Sequence, residues 1–145
     1  MLFRSSMTAI GIRLDFVKQK WPDLLKMARA GQLQFWQVGW ITTAGDGDAF
    51  MQLLYGPNAA QSNMGRFRNA EYDELYRKSK RVPPGPERQA LYAKMDRIAA
   101  VYNPMDLGVY RVENTLTRPW LLGYRKHIYF EHAWKYYDLD LARQK

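Results

Sequence analysis

With 145 residues, 47% of them apolar, the chain has room for one domain with a core of its own and is not a disordered tail. Its apolar runs are all too short to span a bilayer, and without a cysteine it can form no disulfide and do no thiolate chemistry. The net charge of +8, from 22 basic and 14 acidic residues, keeps a nucleic-acid-binding domain in view as a second function class.

The first sixteen residues begin to alternate and show neither the continuous apolar stretch nor the cleavage site of a signal peptide. Ile10, Ile12, Leu14 and Phe16, interleaved with Gly11, Arg13, Asp15 and Val17, predict a half-buried strand. A helix should follow, with Pro22 in its first turn, a stripe of Trp21, Leu24, Leu25 and Ala28, and Gly31 as its stop. Leu33 to Trp40 predicts a second strand, with Trp36, Val38 and Trp40 on one face. Strand, helix and strand together make a βαβ unit with two parallel neighbours. The apolar run then gives way to a turn-rich loop through Thr42, Thr43, Gly45, Asp46, Gly47 and Asp48. A tryptophan at a strand's C-terminal end, ahead of such a loop, is either a core residue or the wall of a ligand site.

Asp46 or Asp48 can cap a helix carrying Phe50, Leu53 and Leu54. Their spacing hints at a calcium loop but lacks its further acidic ligands. After a polar loop from Gly56 to Arg68, Asn69 caps a helix with Tyr72, Leu75, Tyr76 and Ser79 on one stripe. Val82 to Pro86 breaks it, and a second helix presents Leu91, Met95, Ile98 and Tyr102, so the two form a helical hairpin. Arg77, Lys78, Lys80 and Arg81 lie where the first of these helices should end. Cations there suit the helix dipole, so a solvated helix end is the simpler reading of that run. Asn103-Pro104 ends the hairpin, Leu107 to Leu116 returns as an extended segment, and after Pro119-Trp120 an aromatic tail runs from Tyr124 to Tyr137.

Catalytic patterns do not emerge. His127 and His132 are spaced for different faces of a helix or a strand, which does not suit a zinc pair. Ser62, Thr42 and Thr43 sit in no nucleophile-elbow motif, and the Gly45 to Asp48 turn carries two negative charges that would repel a phosphate. The scattered carboxylates nominate no acid–base pair, so neither an enzyme nor a cofactor or metal is expected.

Taken in order, several short motifs resemble one family. They are Ala9-Ile10-Gly11-Ile12, Gly39-Trp40 with its acidic turn and Phe50, Asn69 to Leu75, Gly85 to Tyr92, and Pro119 to Tyr124. The chain resembles the C-terminal lobe of the solute-binding proteins that serve dipeptide, oligopeptide and nickel ABC importers, extracellular solute-binding protein family 5. The resemblance implies an α/β fold, one partial lobe of a type II periplasmic binding protein, in which the βαβ unit is joined by the helical hairpin and returning extended segments. Residues 1–123 would be the ligand-binding lobe and 124–145 a tail leading back to the other lobe. It further implies a receptor that closes around a peptide or small solute, docks on a membrane permease, and is periplasmic or on the cell surface. The partner N-terminal lobe would be missing here, no nucleic acid would be bound, and the tail would offer a surface for self-association. In peptide-binding members, aromatic pocket walls stand at the positions matching Trp21 and Trp40. An aspartate that pairs with the peptide's α-amino group stands at the position of Thr43. A threonine hydroxyl accepts a hydrogen bond but offers no opposing charge, which puts recognition of a free N-terminus in question. Gln37 and Asn63 are weaker ligand candidates, because each could equally satisfy local backbone groups.

Overall fold

An α-helix satisfies its own backbone hydrogen bonds, whereas a strand needs a neighbour, and that difference divides this chain. The computed structural model describes residues 2–42, 45–106, 112, 114–126 and 134–143. Its helices are α1 (Leu2–Ala9), α2 (Trp21–Ala30), α3 (Asp48–Met51), α4 (Ala70–Ser79) and α5 (Pro86–Tyr102). Single 3-10 turns stand at Gln52–Leu54, Gly56–Asn58, Trp134–Tyr136 and Leu141–Arg143. Two short strands, β1 (Leu121–Leu122) and β2 (Asp138–Leu139), pair antiparallel with Leu121 opposite Leu139.

The core lies in the hairpin of α4 and α5. Asn69 accepts the Tyr72 N–H at 2.9 Å and starts α4 as the sequence predicts, and Pro86 stands at the first position of α5. Tyr72, Tyr76, Tyr92 and Met95 are buried together with Leu54, and Met51, Tyr55, Phe67, Leu75, Ile98 and Ala99 pack against them. The Tyr72 hydroxyl donates to the Met51 carbonyl at 2.8 Å, so its polar tip is satisfied inside the core. The buried face of α5 differs from the predicted one: Tyr92 turns inward to reach the Asp46 carboxylate, while Tyr102 is left exposed.

The βαβ expectation is not met among the described residues. Leu2–Ala9 is helical, closed by Thr8 Oγ1 donating to the Arg4 carbonyl. Gly11, at φ +80°, ends it, its N–H bonding the Thr8 carbonyl while the Ile12 N–H reaches back to Met7. Residues 12–20 and 36–42 carry no regular structure, because no described segment lies alongside them to form a ladder. Their alternation is real, but alternation marks a face, not a partner. The Leu107 to Leu116 segment lies largely outside the described residues, and Val112 and Leu116 within it are exposed.

The tail folds back on its own chain, since the β1–β2 pairing crosses the expected boundary at residue 123. Gly123 permits this with φ +74°; a Cβ there would stand 2.6 Å from the Tyr136 carbonyl oxygen. The Tyr124 and Tyr137 rings meet at 5.6 Å. Of the aromatic residues expected there, Tyr129 and Phe130 lie outside the described residues, as does Ile128.

Candidate ligand-binding site

Trp21, Leu25 and Arg29 are four residues apart along α2, so they share one face of the helix. That face, the segment Val38-Gly39-Trp40, and the loop residues Ala60, Gln61, Ser62 and Met64 enclose an open cleft of about 560 Å³. The volume suits a small solute. Trp21 is 51% exposed and Trp40 36%, so both indoles keep substantial surface available. In α2, Ala28 is the buried residue and Trp21 does not complete a core stripe.

Each wall is held by a local device. Gly31, at φ +72°, ends α2 with its N–H on the Ala28 carbonyl, and the Gln32 N–H bonds Met27. Arg66, itself at φ +55°, lays its guanidinium against Gly31 and donates from Nη2 to the Arg29 carbonyl at 2.6 Å, tying α2 to the third wall. That wall turns on Asn63, which is fully buried. Its Nδ2 donates to the Tyr55 and Phe67 carbonyls at 3.1 and 2.9 Å, and its Oδ1 accepts the Phe67 N–H. Ser62 Oγ and Asn58 Nδ2 both donate to the Gln52 carbonyl.

The acidic turn beyond Trp40 is bolted to the hairpin. Asp46 Oδ1 accepts the Tyr92 hydroxyl at 2.8 Å and the Asp48 N–H at 3.0 Å, and its Oδ2 pairs with Arg88 at 3.1 Å. Arg88 Nε donates in turn to the Tyr92 oxygen, and Lys80 pairs with Asp48 at 2.9 Å. Asp46 thus makes an Asx-type turn ahead of α3; the N-cap position itself is Gly47. Partial burial works to raise the Asp46 carboxyl, but the Tyr92 and Asp48 hydrogen bonds with Arg88 and Lys80 outweigh it and hold the carboxyl below its ordinary value. Tyr92 is pushed up to about 12, by burial first and then by Asp46, against the opposing pull of Arg88.

The structure therefore brings Trp21 and Trp40 together and separates the other candidates from them. Asn63 is spent on backbone groups, the alternative its side chain left open in the sequence, and does not line the cleft. Gln37 is exposed and is not part of the lining either. Thr43, His127 and His132 lie outside the described residues. Sequence reasoning missed Arg29 and the Ala60 to Met64 wall. Arg29 could have been found from its spacing to Trp21. The wall depends on Ala60 at φ +66°, a conformation its residue type does not announce. Arg77 and Lys78 pair with Glu74 at 2.8 and 3.9 Å, and with Lys80 on Asp48 most of the dense basic run is matched to carboxylates.

The chain is 28% identical over 122 residues to di/tripeptide-binding protein 3 of Pseudomonas aeruginosa (strain UCBPP-PA14), covering 75% of this chain and 23% of that protein. It is 35% identical over 92 residues to heme-binding protein A of Haemophilus influenzae (strain ATCC 51907 / DSM 11121 / KW20 / Rd), covering 63% and 17%. It is 25% identical over 118 residues to the probable deoxycholate-binding periplasmic protein YgiS of Escherichia coli (strain K12), covering 81% and 22%. Its relatives are periplasmic solute-binding proteins of the peptide-binding family. They are binding proteins, not enzymes. The chain spans about a fifth of the length of these relatives. No family model matches it, and no solved structure matches it significantly.

Proposed function

We propose that the chain is part of the C-terminal lobe of an ABC-importer solute-binding protein, and that it takes a peptide or similar small solute in the Trp21–Trp40 cleft. The observation that carries the reading is that two tryptophans 19 positions apart in sequence line one open cleft. Indoles supply large contact area at little entropic cost. Relatives named for di- and tripeptides, heme and deoxycholate favour a small solute with an apolar body. On this reading Thr43, three residues beyond Trp40, offers the ligand a hydroxyl. Residues 1–123 form the ligand-binding part, and 124–145 form the tail that leads towards the second lobe and can bridge copies of the chain. In the full-length protein the second lobe closes the cleft, a membrane permease receives the loaded receptor, and the location is periplasmic or at the cell surface.

Because one lobe supplies only part of the contacts, the 145-residue chain should bind weakly, well above micromolar. The test is tryptophan fluorescence with calorimetry against mixed di- to pentapeptides. Trp40→Ala should lower affinity more than Trp21→Ala, since Trp40 leads directly into the loop carrying Thr43. Unchanged binding by a folded Trp40→Ala protein would remove the cleft from the argument.

A further inference from the structure

The charges around the cleft are one-sided. Its polar lining consists of Arg29, Gln61 and Ser62, and no acidic side chain lines it among the described residues. Ser62 Oγ already donates to Gln52. Asp46, in the turn beyond Trp40, is held by Arg88 and Tyr92 and is not available as a counter-charge. Arg29 has no carboxylate partner among the described residues, although it stands on the same helical face as Trp21 and Leu25. A cation in the last turn of α2 suits the helix dipole by itself, but that role does not require a place in the cleft wall. Arg66 adds a second guanidinium at the same end of α2, 2.6 Å from the Arg29 carbonyl. An ammonium entering here would meet the Arg29 cation and, at best, the neutral acceptor oxygens of Gln61 and Ser62, with no opposing charge among the described residues. A carboxylate would meet a planar guanidinium able to bind it through two hydrogen bonds.

We propose that the cleft selects small apolar solutes that carry a carboxylate, with Arg29 as the partner of that anion, and that a free amino group is not what it recognises. This rests on the solute-binding reading and names its ligand class. Trp21, Trp40, Leu25, Val38 and Met64 receive the apolar body, and Arg29 sets its orientation.

Three forms of one peptide test it on the 145-residue chain, titrated by tryptophan fluorescence at low salt: N-acetyl-dileucine, an anion; dileucine amide, a cation; and N-acetyl-dileucine amide, which is neutral. The anion should bind about tenfold more tightly than the cation, with the neutral form between. Added salt should narrow the gap, Arg29→Gln should close it, and Arg29→Lys should restore part of it. Arg29→Gln leaves the carbonyl that holds Arg66 in place, so loss of the preference reports the guanidinium. 4-Phenylbutyrate separates sources of the carboxylate. Binding within about tenfold of the acetylated peptide identifies carboxylic acids at large, and failure beside a bound peptide identifies peptide C-termini. Equal or tighter binding of the cation, or a gap unchanged in Arg29→Gln, overturns the charge selection. If all forms bind alike and Trp40→Ala weakens them all, solute binding survives without it. No binding of any form up to about 10 mM sinks both.

Discussion

Residues 12–20 and 36–42 and the α4–α5 hairpin carry apolar residues at equally regular spacing, yet the first two stretches leave most of theirs exposed and the hairpin buries its own. Val17 is 75% exposed and Ile41 69%, whereas Tyr72 and Met95 are almost fully buried. The difference lies in where the backbone finds its partners. Each hairpin helix closes its own hydrogen bonds and needs one neighbour to cover one stripe. Residues 12–20 and 36–42 would need a ladder partner before they could form strands with a shared face to bury. Periodicity therefore produces a core only where the second condition, a neighbour, is met locally.

The sharpest way to break that comparison is a pair of truncations. Tyr72→Ala removes a buried ring and its bond to Met51, and should cost about 3–5 kcal/mol in a denaturant titration. Val17→Ala should fall within about 0.5 kcal/mol. A comparable loss at Val17 would mean that residues 12–20 have a core after all. Asn63→Ala comes next, at about 2–3 kcal/mol, because it strips partners from the Tyr55 and Phe67 carbonyls and the Phe67 N–H. Thermal unfolding reads the loss, and weaker peptide binding should accompany it as the cleft wall shifts.

Gly123→Ala should cost about 1–2 kcal/mol and act locally, since it strains a left-handed position and drives a methyl into the Tyr136 carbonyl. Hydrogen exchange should show faster amides at β1 and β2 with the hairpin unchanged. A variant whose hairpin amides also accelerate would show the tail to be a structural part of the core. Tyr92→Phe is the smallest effect, about 1 kcal/mol at neutral pH, from the lost bond to Asp46. Its pH dependence has a definite sign. The Asp46 carboxyl lies below its ordinary value in the folded chain, so its stabilisation is complete above that ordinary value and fades as pH falls through the folded one. Wild type and Tyr92→Phe should therefore differ at neutral pH and converge in acid. A difference that persists at acid pH would assign the loss to packing instead of the Asp46 pair.

What could be read from the sequence follows the same division. The hairpin, the Asn69 cap and the Gly31 stop were legible because each is decided within about one helical turn. The two strands were not, because pairing is non-local and alternation cannot name its partner. Gly11 was placed inside the first of them, where it is instead the left-handed end of a helix. At the cleft, the tryptophans stood out by type and position. Arg29 drew no reading and Asn63 read as a ligand candidate, and what decides both roles is the surrounding backbone, which only the fold supplies.

The Arg66 tie makes α2 a lever. Its C-terminal end is fastened by the bond to the Arg29 carbonyl and by the turn at Gly31, while its first residue, Trp21, stands at the far end with no side-chain cap behind it. Ten residues of helix place that indole about 14 Å from the fulcrum, so a tilt of about 10° sweeps it through about 2 Å and scarcely moves Arg29. The charged end of the cleft therefore has a fixed gauge and the aromatic end an adjustable one. If the cleft binds solutes as proposed, those that share a head group but differ in girth should be gripped by the same residues.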